Sequence, residues 1–168
     1  MLTIRHETPA DRDAVYRVEH DAFDGDNEPG LVDALRDGGH LMLSMVAEED
    51  GEIVGHIAFS PMTVDSETES FAAICLAPLA VTAARQKQGV GGALMLAALD
   101  ELRATGGGAV FLLGHPSYYP RFGFRPAREF DVHYMDDRDA FMALELTPGA
   151  LDHVSGTVHF APEFAPFE

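Results

Sequence analysis

The sequence predicts an α/β (α+β) fold, a mixed central sheet of about seven strands with about four helices, over one 168-residue domain spanning residues 1–168. Three observations predict it. Short strand-like runs frame two early segments of helical period. Asp50-Gly51, between two apolar stretches, is a hairpin signal. The apolar run Phe71–Val81 enters a glycine-rich turn that opens the most regular helical pattern in the chain.

In order, Leu2 to Arg5 reads as a first strand. Thr8-Pro9-Ala10-Asp11 reads as a helix start, with Thr8 as cap, Pro9 in the first helical position and Asp11 three residues past the cap. Ala14, Val15, Val18 and Ala22 then recur at helical spacing. The polar stretch 24–30 reads as a loop, followed by a short helix carrying Leu31, Val32 and Leu35 that stops at Gly38-Gly39. Leu41 to Glu48 and Glu52 to Phe59 read as the arms of the hairpin, and Phe71 to Val81 as a strand buried on both faces. Pro78 cannot donate to a ladder, so a bulge or a break in pairing is expected there. Gly89 to Ala104 is the strongest helix, with Leu94, Met95, Ala98, Leu99 and Leu102 on one stripe. Ala109 to Leu113 is a strand. A small helical turn near Tyr119 and two further strands, Ala140 to Leu146 and Gly156 to Phe160, complete the order.

Composition narrows function. A formal net charge of −17 argues against nucleic-acid binding, which needs clustered Lys and Arg, and against docking on anionic lipid. It would attract a cationic substrate or a basic partner. The single cysteine, Cys75, lies in an apolar run, so no intrachain disulfide and no cysteine-based metal site is expected. The eight histidines show no metal-ligand spacing, and no metal is expected. The N-terminus shows no signal-peptide pattern and no stretch suits a membrane span, so a cytoplasmic location is the expectation.

The chemistry-bearing stretch is residues 79–94. A strand ending Leu79-Ala80-Val81 leads into Gln86-Lys87-Gln88-Gly89-Val90-Gly91-Gly92-Ala93 at a helix start. Unpaired N–H groups and the helix dipole there suit a diphosphate, with Arg85 and Lys87, the only lysine, alongside. Close helix–strand packing is the structural alternative. Neither a P-loop nor a dinucleotide fingerprint is matched, since Gly-Lys-Ser/Thr is missing and Leu94 stands where the last glycine would be.

Gln86-Lys87-Gln88-Gly89-Val90-Gly91 resembles the Gln/Arg-x-x-Gly-x-Gly/Ala signature of GNAT N-acetyltransferases. Ile4-Arg5 with Asp11, Ala14 and Ala22-Phe23, then Glu52 to Ile57, then Tyr119-Pro120-Arg121-Phe122-Gly123-Phe124 resemble further elements of that family, in the family's order, over roughly residues 2 to 126. The resemblance implies a sheet splayed between the fourth and fifth strands and acetyl-CoA as co-substrate. It implies that residues 86–93 cradle the pyrophosphate and that the backbone of Leu79, Ala80 and Val81 pairs with the pantetheine. It implies Tyr119 as the general acid for the departing thiolate.

The expected acceptor is a primary amine of a small molecule. Protein Lys or N-terminal acetylation, or a non-catalytic acyl-CoA-binding module, are the alternatives. Asp24, Asp26, Glu28, His56 and His115 are the candidates for contact with the acceptor or for the base. At the last of these the family often has Asn. The final strands could pair across a homodimer.

Overall fold

A computed structural model describes residues 1–134 and 138–167. The elements are β1 (Leu2–His6), α1 (Arg12–Phe23), α2 (Asn27–Asp37), β2 (Leu43–Glu49), β3 (Glu52–Asp65), β4 (Ser70–Val81), α3 (Val90–Ala104), β5 (Ala109–Leu113), β6 (Arg125–Pro126), β7 (Val132–His133), β8 (Phe141–Glu145) and β9 (Gly156–Phe160), with five short 3-10 segments between and after them. Hydrogen-bonded neighbours run in the order β1-β2-β3-β4-β5-β8-β6, with β9 pairing both β3 and β7. This is the expected mixed sheet. Among the described residues it holds nine strands rather than about seven, because β6 and β7 are two-residue bridges that carry no periodicity to read. The fourth helix of the expectation is the 3-10 turn Tyr119–Phe122.

The chain forms two compact units. The first contains Met1–Ser60, Ala77–Asp100 and the C-terminal segment from Ala161. Here β1 runs antiparallel to β2, and β2 antiparallel to β3. Asp50 and Gly51 have φ of 52° and 82°, the paired positive values that a two-residue hairpin turn requires. The start of α1 is set by Asp11, whose carboxylate accepts from the Thr8 N–H at 2.7 Å and from two nitrogens of Arg5 at 2.7 and 3.0 Å. Val15 and Val18 of α1 and Leu31, Val32 and Leu35 of α2 are buried. Phe164 and Phe167 of the 3-10 segment Pro162–Phe167 pack against Leu31 and Leu35.

The second helix begins at Asn27, earlier than the loop reading of 24–30 placed it. Pro29 stops no helix there. In the first turn its missing N–H would have had no helical acceptor. Across β3 from these helices, α3 lies close to the sheet at Gly55. A Cβ on that residue would come 2.9 Å from Leu94 Cδ1 and 3.0 Å from Val90 Cγ1, so glycine sets the depth of the helix.

The second unit contains Pro61–Leu76 and Glu101–Phe160. Its centre is β5, parallel to β4 on one side and antiparallel to β8 on the other. The β4–β5 register runs over Ile74↔Val110 and Cys75↔Phe111, ending before Pro78, where the missing N–H had led a break to be expected. Cys75 is buried and acts as a small apolar residue. Strand β3 continues through Pro61 to Asp65, past its expected end at Phe59, because Met62–Asp65 pair with Phe160–Thr157 of β9.

Candidate active site

The glycine loop lies in the first unit. From the end of β4 the Thr82 N–H donates to Val54 O at 3.0 Å, which continues the β3 side of the strand. A 3-10 turn, Ala83–Arg85, follows, its first amide donating to Asp21 Oδ2 of α1 at 2.8 Å. The Gln86 amide reaches back to Val81 O at 2.9 Å and the Gln88 amide to Ala84 O at 3.1 Å. Arg85 pairs with Glu49. The side chains flanking the loop are therefore used to hold its shape.

The backbone at its far end is free for other use. Lys87 and Gly89 adopt positive φ, 63° and 87°, which turns the chain into α3. The first helical hydrogen bond is Ala93 N–H to Gly89 O at 3.0 Å. The amides of Val90, Gly91 and Gly92 lie ahead of it, at the positive end of a 15-residue helix. Gly91 and Gly92 add no side chain that would hold an anion off. Gln86 to Gly89 are exposed, and Lys87 has no carboxylate partner among the described residues. This donor set fits a diphosphate. Ala93, counted among the cradle residues from sequence, spends its amide inside the helix.

Tyr119 lies in the second unit, as the first residue of the 3-10 turn Tyr119–Phe122 after β5. Gly123, with φ of 100°, ends that turn. The Tyr119 ring meets Tyr118 edge-on at 5.0 Å and Phe124 at 5.9 Å between centroids. It also lies against Gly114, where any Cβ would collide with it. Burial pushes its phenol up to about 12, so it stays protonated across the neutral range, the state a proton donor needs.

The acceptor candidates separate. Asp24, Asp26 and Glu28 come together at the α1–α2 junction. Asp24 closes α1 with φ of 53°, Asp26 accepts from Tyr16 Oη at 2.8 Å, and Glu28 stands in the first turn of α2, not in a loop. His115 is exposed in the second unit, its carbonyl accepting from Tyr118 N–H at 3.1 Å.

His56 is a correction. It is wholly buried, with Nδ1 2.6 Å from Glu19 Oε2 and Nε2 2.7 Å from Ser44 Oγ. Both ring nitrogens are engaged inside the protein, so this residue does not face an acceptor. Burial holds Glu19 well above the usual carboxylate range and His56 down at about 4. Both shifts favour the uncharged forms, and each ring nitrogen of His56 has one hydrogen-bond partner inside the protein. Glu19 and Ser44 carried no sequence signal beyond their type. Asp21, which ties α1 to the loop, was likewise silent.

Comparison with known proteins agrees with this geometry. Residues 3–127 match the family described as Acetyltransferase (GNAT) domain. An uncharacterized N-acetyltransferase of Escherichia coli K12, YhbS, is 36% identical over 99% of this chain and 100% of its own length. The crystal structure of E. coli YhbS in complex with CoA superposes with a TM-score of 0.91 at 35% identity, covering 99% of this chain and 93% of that one. A GNAT family acetyltransferase from Brucella melitensis in complex with acetyl-CoA gives 0.81 at 36% identity, over 98% of each chain. With its glycine loop, its strand order and its full-length relatives in agreement, this chain belongs to the GNAT family of N-acetyltransferases.

Proposed function

We propose that this acyltransferase moves the acetyl group of acetyl-CoA to a primary amine of a small molecule. The observation that carries the reading is the run of amides at Val90, Gly91 and Gly92, ahead of the first helical bond and next to an uncommitted Lys87. These amides donate to the diphosphate. The backbone of Leu79, Ala80 and Val81, beyond the β4–β5 ladder, is the part of β4 available to the pantetheine amides. The relatives solved with CoA and acetyl-CoA support this choice of donor.

Transfer forms a C–N bond and breaks the C–S bond. The amine must attack in its neutral form, which for an alkyl amine is about one part in a thousand at pH 7. Asp24, Asp26 and Glu28 supply carboxylates at the α1–α2 junction that would attract the ammonium form and accept its proton. The departing thiolate takes the Tyr119 phenolic proton.

The test is calorimetric and kinetic. Acetyl-CoA should bind the wild type, and Tyr119→Phe should keep that affinity while kcat falls by about 10²–10⁴-fold, the usual contribution of a general acid. Unchanged turnover in Tyr119→Phe removes the acid role. Absence of acetyl-CoA binding by folded protein removes the donor.

A further inference from the structure

In so acidic a chain, a cation that no carboxylate neutralises marks a place where an anion is wanted. Arg5 pairs with Asp11 and Glu48, Arg12 with Asp33 and Asp37, Arg36 with Glu7 and Asp33, Arg85 with Glu49, Arg125 with Glu129 and Arg128 with Asp139. Arg17 lines a cavity of about 640 Å³ that it shares with Asp11, Asp21, Glu48 and Glu52, which an anion would avoid. Lys87 belongs to the glycine loop.

Arg121 differs from all of these. Its Nε donates to Tyr118 O at 2.8 Å, and its guanidinium lies over the Tyr118 ring, 4.3 Å from the centroid. The stack and the Nε bond fix the plane of the group. Its two terminal nitrogens have no carboxylate partner among the described residues, and the residue is exposed. A guanidinium held this way presents a pre-oriented edge for two parallel N–H···O bonds. Its position matters as much as its orientation. The Tyr118 ring that carries the guanidinium also touches the Tyr119 ring, 5.0 Å between centroids. Those two contacts put the Arg121 guanidinium carbon no more than about 9 Å from the centre of the Tyr119 ring.

We infer that Arg121 binds a carboxylate on the acceptor, so that the acceptor is an amine that also carries a carboxylate, an amino-acid-type molecule. The inference rests on the acetyltransfer reading and on Tyr119 marking the reacting centre. Charge selects the ligand. With Arg125 and Arg128 already paired, Arg121 offers one unneutralised positive charge, which matches a monoanionic carboxylate better than a phosphate dianion. A zwitterion also agrees with the acidic chain. Its ammonium end suits a chain of net charge −17, and its acid end suits an open arginine.

The experiment measures CoA release from acetyl-CoA with matched pairs, α- and ω-amino acids against their primary amides, which keep size and amine but lose the charge. The acids should be used at least about tenfold more efficiently in kcat/KM, the scale of one charge-assisted contact. Arg121→Gln should raise the acceptor KM by about 10–100-fold, erase the preference for acid over amide, and leave the KM for acetyl-CoA unchanged. Arg121→Lys should restore part of the preference. Wild type that uses amides as well as acids overturns the proposal, and so does complete inactivity towards the acids in protein that binds acetyl-CoA. A rise in the acetyl-CoA KM alone, absent with 3′-dephospho-acetyl-CoA, would also overturn it by placing Arg121 on the donor's phosphate. Acetyl-CoA calorimetry on the same samples separates these outcomes from failure of the acetyltransfer reading, which would show as no binding at all.

Discussion

The first unit holds two polar assemblies of opposite character. In the glycine loop, side chains brace the backbone and the amides of Val90, Gly91 and Gly92 point to no internal acceptor. In the network of Ser44, His56 and Glu19, the ring of His56 is bonded at both nitrogens and hidden from solvent. Judged by residue types alone, the histidine network is the more chemical of the two, a serine, a histidine and a carboxylate in line. The structure reverses that ranking. Polar capacity already spent inside the protein holds a fold together, and polar capacity left over is what a ligand can use.

Breaking the spent assembly should give the largest change in stability. His56→Ala leaves a cavity and strips the partner from Glu19, whose other oxygen, Oε1, already lacks one. The expected loss is about 3–5 kcal/mol by denaturant titration, a large share of a domain's stability. Affinity for acetyl-CoA, measured on protein kept folded at low temperature, should not change. Glu19→Gln, which keeps a hydrogen-bond donor for Nδ1, should cost less. A His56→Ala protein as stable as wild type but without turnover would break the comparison and return the network to the catalytic account.

The converse change acts on the loop. Gly91→Val places a branched side chain where the anion approaches, in the first turn of α3, where valine is no worse a helix former than glycine. Stability should stay within about 0.5 kcal/mol, while the Kd for CoA rises by about 10–150-fold, the worth of one charge-assisted hydrogen bond. An unchanged Kd would show that these amides are not the diphosphate donors.

The same distinction explains what was legible beforehand. The glycine loop is contiguous, so one stretch of sequence held the turn, the helix start and the lone lysine together. Strands β5 and β9 fell at their expected ends, and Asp50-Gly51 turned as such a pair must. What escaped depends on partners far along the chain. Glu19 reads as one more charge on a helix until His56, 37 residues away, is seen beside it. The last four residues of β3 are strand because β9 lies next to them, which no local pattern after Phe59 announced. Asn27 to Gly30 resembled a loop because the stretch is polar, yet it forms the first turn of α2, where Pro29 costs no helical hydrogen bond.

Asp11 sharpens the comparison at its smallest scale, because it is a spent group near the surface whose partners are local. The Arg5 guanidinium, held against it by two hydrogen bonds, brings its carboxyl down to about 2, with the Thr8 amide and hydroxyl adding to the effect and burial opposing it. In the unfolded chain the same group titrates near 3.8. A folded value below the unfolded one means stability that is present in full above about pH 4 and is lost as the pH falls through 2. The size of the shift corresponds to about 2 kcal/mol at neutral pH. Asp11→Asn should therefore be less stable than wild type by roughly that amount at pH 7, and urea titrations at descending pH should bring the two proteins together between pH 4 and 2. CoA affinity at pH 7 should be the same in both. A gap that persists at pH 2 would mean that the capping geometry of Thr8, and not the charge on Asp11, secures the start of α1.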